Sequence, residues 1–245
     1  MSKYNRIGGF VLEENELALL FNISDIKQTE ENTLSTKLKT YVTVFASRCL
    51  DILGGLVGCV FIIPIMISII INNIKDGDFG KIFYVQKRIG KNGKLFNMYK
   101  FRTMVENADE KLDELLANDE MARLEYKKYK KLHNDPRVTK FGKFLRQTSL
   151  DEFPQFINIL KGEMTLVGPR PYLPKEKEDM GEYYKYIIQH KPGITGYWQI
   201  SGRNDVSFDK RVDLDFKYHH KKSLKNDIKI LLITVLVTIR KKGAM

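Results

Sequence analysis

The chain has 245 residues, enough for one large domain or one domain with appendages, and a core of that size needs no disulfides. Its formal charge of +11 attracts polyanions such as anionic lipid or nucleotide phosphate. Nucleic acid is argued against by a long apolar segment and by the lack of any RNA- or DNA-binding motif. The two cysteines, Cys49 and Cys59, lie in or beside that segment, and the four histidines lack metal-ligand spacing, so neither a disulfide framework nor a zinc site is expected.

Residues 1–40 form a weakly patterned N-terminal arm. Its first apolar run, Ile7–Leu12, is short and carries two glycines, unlike a secretory signal. Phe10–Leu20 fits a short helix, and Ser24–Lys39 an exposed polar stretch. Residues 41–75 set the class of the protein. From Ile52 to Ile74 no residue is charged, a run of 23 that as an ideal helix is about 34 Å long. That length reaches across a bilayer, and so few polar residues argue against a buried helix of a soluble core. Pro64 interrupts the helix ladder near its middle. Lys37, Lys39 and Arg48 precede the run, while Lys75, Lys81, Lys87, Arg88, Lys91 and Lys94 follow it. A span favours basic residues on its cytoplasmic side alone. Two basic flanks and a central proline therefore fit a re-entrant helix that breaks and returns to the same face; a kinked span is the competing reading. On either, the more basic C-terminal flank puts residues 76–245 in the cytoplasm.

Asn92-Gly93 between two apolar-aromatic runs signals a β-hairpin, since both residues tolerate positive φ. Its cations, Lys87, Arg88, Lys94, Lys100 and Arg102, are either solvated edge charges or a ribbon facing phosphates or lipid headgroups. Glu106–Leu132 reads as one charged helix, acidic at its start and basic at its end, with a solvated face. The apolar run Ile230–Ile239 within an Asn226–Arg240 helix is too short to cross a bilayer, so it lies at the interface or packs in the core.

Between these lies Arg146–Pro171. Ser149-x-x-Glu152 has the form of a capping box, with Ser149 capping a helix and Glu152 reaching back. Asp151 would then sit in a first helical turn, where the dipole favours the ionised form. Capping alone could account for this acid pair. Arg170, however, stands between Pro169 and Pro171, which present its guanidinium from a stiff loop suited to a phosphate. Trp198, beside Gln199 and Arg203, is either core or a platform for a nucleobase and diphosphate. Asp205, Asp209, Asp213 and Asp215 are open between metal ligation and the commoner roles of caps and ion pairs.

In this order the motifs resemble the bacterial sugar transferase family, the monotopic phosphoglycosyl transferases. They are Arg48-Cys49-Leu50-Asp51, Gln86-Lys87-Arg88-Ile89-Gly90, Tyr99-Lys100-Phe101-Arg102-Thr103-Met104, Leu145-Arg146-x-x-Ser149-Leu150-Asp151-Glu152-x-Pro154-Gln155, Val167-Gly168-Pro169-Arg170-Pro171 and Lys191-Pro192-Gly193-Ile194-Thr195-Gly196 through Gln199 to Gly202-Arg203. Ile63 stands before Pro64, where family members often have Ser. The stretch Trp198–Asp205 looks most like members that transfer galactose- or glucose-1-phosphate. Larger relatives carry an N-terminal multi-span domain, so a minimal catalytic form is expected.

The resemblance implies an α+β, mostly helical protein. It would have a re-entrant membrane helix, a small β-hairpin, a helical catalytic domain facing the cytoplasm and interfacial amphipathic helices, all at the bacterial inner membrane. It further implies a covalent mechanism that starts exopolysaccharide, capsule or O-antigen synthesis. Asp151 would attack the β-phosphorus of a UDP-sugar bound with Mg²⁺, expelling UMP, and undecaprenyl phosphate would then take the sugar-phosphate. Asp151 and Glu152 are the expected catalytic and metal-binding residues. Lys87, Arg88, Arg102, Arg146, Arg170, Gln199 and Arg203 are expected at the substrates. Partners are the two substrates, membrane lipid and, as a candidate, a second copy of the chain. Two other readings remain: a membrane-associated glycosyl transferase releasing UDP, and a non-catalytic membrane scaffold.

Overall fold

A computed structural model describes residues 4–7, 10–13, 41–201 and 206–239. The chain divides into two compact units, Met1–Ser47 and Arg48–Met245. In the first, strands β1 (Tyr4–Ile7) and β2 (Phe10–Glu13) pair antiparallel, and residues 41–47 begin a helix. The helix expected over Phe10–Leu20 is therefore corrected at residues 10–13, whose backbone pairs with β1 across a two-residue link; the remainder lies outside the described residues.

Helix α1 (residues 41–60) and helix α2 (Ile62–Lys75) make one 35-residue helical stretch, long and apolar enough to cross a membrane. Its ladder is disturbed ahead of Pro64, where the Phe61 N–H turns to Gly58 O in a tighter i→i−3 bond of 3.2 Å. Much of its apolar surface is uncovered: Leu53, Val57, Val60 and Ile63 are each more than 60% exposed. From Arg48 onward the helix belongs to the second unit and packs within it. Ideal Cβ atoms on Gly54, Gly55 and Gly58 would meet the Leu166, Leu160 and Phe156 side chains at 2.8, 2.6 and 2.2 Å. Arg48 closes this seam by donating to Ile159 O and Leu160 O at 2.7 and 2.8 Å. Asp51 accepts from Thr165 Oγ1 and the Leu166 N–H, both at 2.8 Å. Farther along, Ile62 and Ile69 pack with Phe101 and Leu145 and against Leu150 and Phe153.

The expected hairpin is present: β3 (Phe83–Ile89) pairs antiparallel with β4 (Leu95–Phe101). Asn92 and Gly93 both take positive φ, 57° and 79°, but within a five-residue connection, Gly90–Lys94, in place of a two-residue turn. The charged stretch at 106–132 is two helices, α3 (Ala108–Asn118) and α4 (Glu120–Tyr129). Asp119 breaks it because its backbone is extended and its carboxylate caps α4 by accepting from the Ala122 N–H at 2.9 Å. Helix α5 (Lys140–Thr148) docks on the end of β4 so closely that a Cβ on Gly142 would come 2.1 Å from Thr103 O. A short 3₁₀ turn (Leu150–Glu152) then leads to helix α6 (Gln155–Lys161). Buried Asn158 of α6 bonds the hairpin through Asn97 O and the Tyr99 N–H.

Strand β5 (Thr165–Val167) and strand β6 (Gly193–Thr195) pair in parallel, with the short helix α7 (Tyr184–Ile187) in the connection. Helix α8 (Tyr197–Ile200) follows, then α9 (Phe208–Lys221) and α10 (Leu224–Ile239). Helix α10 combines both readings of its apolar run. Ile230 is fully buried with Val167 and Tyr218, while Ile228, Leu232, Val235 and Leu236 are exposed. Arg240, Lys241 and Lys242 lie outside the described residues.

Candidate active site

The hairpin, α3, α4, α5, the 3₁₀ turn and the loop after β5 surround a cavity of about 870 Å³. Six arginines and five lysines line it, together with Asp151 and Glu152. The strand period decides which hairpin cations reach it. Tyr84, Gln86 and Arg88 alternate onto the cavity face, and Lys100 lies opposite Tyr84. Lys87 falls on the other face of the strand, exposed and outside the cavity. Arg102 lines the cavity, but its guanidinium is clamped on Asp78 at 2.8 and 2.9 Å. That bond holds the Asp78 carboxyl below its usual range.

Asp151 is carried by the 3₁₀ turn, packed from behind by the apolar helix through Leu150 and Phe153. The expected capping box is absent. Ser149 is the left-handed end of α5, with φ of 58°, and its side chain makes no capping bond to the turn. Glu152 reaches instead to Lys100 Nζ at 2.9 Å, and the same ammonium is 3.8 Å from Asp151 Oδ2. The expectation of a dipole-favoured carboxylate is likewise corrected. Burial pushes the Asp151 carboxyl up to about 6, against the pull of Lys100 and, more weakly, Arg146. Arg146 is oriented by its Nε–H bond to Thr103 Oγ1 at 2.9 Å. Asp151 is thus buried and faced by cations, and above about pH 6 it is mostly ionised.

The Pro169-Arg170-Pro171 loop is fastened from two sides. Glycines let its backbone meet the segment after residue 190: the Gly168 N–H donates to Thr195 O at 2.9 Å and the Gly193 N–H to Pro169 O at 2.8 Å. A Cβ on Gly193 would lie 2.1 Å from Gly168 N, which leaves room only for glycine. From α9, wholly buried Asp215 accepts from the Arg170 N–H at 2.9 Å and the Tyr172 hydroxyl at 2.8 Å. Burial pushes Asp215 up to about 7. Its role was open among the α9 acids, and the usable signal was its spacing of four from Arg211, which puts both on one helix side. The Arg170 guanidinium lies over the Trp198 ring, 5.1 Å from its centroid, and Gln199 Nε2 donates to Ile194 O at 2.7 Å. Among the described residues Trp198 Nε1, Gln199 Oε1 and Arg170 Nε have no hydrogen-bond partner. Arg203 lies outside the described residues.

Arg137 and Arg211 are cavity residues that the sequence did not single out, while Lys100 is one of the hairpin cations it left open between an edge charge and a phosphate contact. Arg137 is ion-paired to Asp135 at 2.6 Å. Among the described residues no group of three or more His, Cys, Asp and Glu could hold a metal ion. Asp151 and Glu152 are two adjacent carboxylates, a donor set that suits Mg²⁺ when a diphosphate provides the remaining oxygens.

The cavity thus sets a buried carboxylate among guanidinium and ammonium groups, on a turn packed against the apolar helix. The bacterial sugar transferase family matches residues 42–241, and the chain belongs to it. It is 43% identical to an undecaprenyl-phosphate galactose phosphotransferase of Salmonella typhimurium, over 96% of this chain and 48% of that protein. It is 42% identical to the exopolysaccharide production protein ExoY of Rhizobium meliloti, over 81% of this chain and 88% of that one. It is 37% identical to a UDP-glucose:undecaprenyl-phosphate glucose-1-phosphate transferase of Escherichia coli, over 80% and 41%. The chain thus spans about half the length of several curated relatives it matches.

Proposed function

We propose that the protein is a phosphoglycosyl transferase that moves a sugar-1-phosphate, a hexose-1-phosphate, from a UDP-sugar to undecaprenyl phosphate and releases UMP. The observation that carries this reading is Asp151, a buried carboxylate that ionises near pH 6 beside Lys100 in an arginine-lined cavity. A carboxylate attacks phosphorus without needing a base to deprotonate it. Names of relatives supply the two substrates, and their place in exopolysaccharide production supports a role in starting a surface polysaccharide.

In the first step an Asp151 oxygen forms a bond to the β-phosphorus while the bond to the bridging oxygen breaks, and UMP leaves with that electron pair. In the second, a phosphate oxygen of undecaprenyl phosphate attacks the same phosphorus and Asp151 leaves as carboxylate. Arg146 and Lys100 hold the carboxylate and balance charge at the transferred group, and the stiff loop aims Arg170 at a phosphate. Glu152 and Asp151 would hold Mg²⁺, which neutralises diphosphate charge when bound. The proline-broken apolar helix enters the cytoplasmic leaflet of the inner membrane and returns, keeping the cavity on the cytoplasmic side at headgroup depth.

The nucleotide product tests the reaction. Purified protein given UDP-hexoses and undecaprenyl phosphate should release UMP, and Asp151→Asn should lower the rate by about a thousandfold or more. Release of UDP would mean transfer of the sugar without its phosphate. Transport or assembly phenotypes that survive loss of the acid pair would favour a scaffold.

A further inference from the structure

Five aromatic rings line the cavity, and four of them are engaged by other groups. Phe83 stacks on buried Phe101, with ring centroids 5.3 Å apart. Trp198 carries the Arg170 guanidinium over its ring, and Tyr126 packs against the small core shared by α3 and α4. Tyr84 is the fifth. It is 39% exposed, and among the described residues its side chain joins no apolar cluster and takes part in no hydrogen bond or ring contact. The ladder fixes where this ring stands. Tyr84 and Lys100 are cross-strand partners at the cavity, which sets their Cβ atoms about 5 Å apart. Lys100 Nζ in turn lies 2.9 Å from Glu152 and 3.8 Å from Asp151. The free ring is one lysine away from the acid pair.

Guanidinium and ammonium groups recognise phosphate by charge, whereas a hexose is uncharged and offers a ring face of C–H bonds. An exposed aromatic ring covers such a face without competing for the hydroxyls. We infer that Tyr84 is the platform on which the hexose of the donor stacks while Asp151 attacks its phosphate. The inference rests on the transfer reading above. The hexose is joined to the attacked phosphorus through one oxygen, so its ring lies within reach of Asp151, where Tyr84 stands. Uridine is one phosphate farther along and departs in line with the attack, on the side away from Asp151. Tyr84 therefore meets the part of the donor that stays on the protein. Hexoses differ in which C–H bonds their hydroxyls leave on a face, so the ring sets the preference among UDP-hexoses and leaves nucleotide affinity alone.

A panel of UDP-hexoses tests this, scored by UMP release from the full chain in detergent micelles with undecaprenyl phosphate. Tyr84→Leu should lower kcat/KM for the preferred donor by about tenfold or more and narrow its lead over the other hexoses, while the inhibition constant for UMP stays within about twofold. Tyr84→Phe, which keeps the ring, should recover most of the loss. An equal rise in the UMP constant would put uracil on this ring and overturn the platform. So would an equal loss for every donor, with Tyr84→Phe no better than Tyr84→Leu. Should Tyr84→Leu lose its thermal transition, Tyr84→Thr, another residue suited to a strand, carries the same comparison. A failed comparison with UMP still released through Asp151 defeats the platform alone; UDP release, or full turnover by Asp151→Asn, defeats the transfer reading.

Discussion

Asp151 owes its charge to Lys100 and Arg146, which oppose a burial that would otherwise keep it protonated. In the proposed reaction only the ionised carboxylate attacks, so UMP release should be lost as pH falls through about 6 and should level off above it. Lys100→Met removes the largest opposing effect, so the midpoint of that pH profile should move upward, by about one unit or more. A midpoint unchanged by Lys100→Met would mean another group sets the profile. At Asp215 the expectation is one of stability and aim. Asp215→Ala leaves two buried donors, the Arg170 N–H and the Tyr172 hydroxyl, without their acceptor. It should cost about 2–4 kcal/mol in denaturant melts and slow turnover, while Tyr172→Phe should do less of both.

At the scale of elements, the apolar helix and α6 act as one support for the turn that carries Asp151. Gly58 is the tightest point of their seam, with the Phe156 ring in the space a side chain would need. Gly58→Leu should therefore destabilise the protein by about 1–3 kcal/mol and disturb turnover, measured by thermal melting and UMP release in the same detergent. Gly77, whose Cβ would meet nothing within 4 Å, is the control for crowding, although its φ of 67° adds backbone strain of its own. The hairpin was legible because Asn92-Gly93 needs positive φ. The split at Asp119 was not, because a charged run keeps helical character on both sides of a capping residue. The 3₁₀ turn was hidden for a related reason: Ser149-x-x-Glu152 satisfies a local rule, and the tertiary partner Lys100, 52 residues before Glu152, overrides it.

For the whole molecule, the long apolar helix and the cationic balance were open to sequence reasoning because both are compositional. The cavity was not, since its lining comes from residues 81 to 211 and depends on strand faces and helix docking. That is why Lys87 and Arg88, neighbours in sequence, part company in space. Topology is testable at this scale: with Lys39→Cys and Lys81→Cys in sealed vesicles, a re-entrant helix predicts labelling of both from the cytoplasmic side, and labelling from opposite sides would contradict it. The central claim is that Asp151 carries the sugar-phosphate. Intact-mass and peptide mass spectrometry of the protein incubated with UDP-hexose in the absence of lipid acceptor tests it most directly. The account predicts a hexose-phosphate adduct on the Asp151 peptide, with one UMP released per adduct, that disappears when undecaprenyl phosphate is added. No adduct, or full turnover by Asp151→Asn, would contradict it.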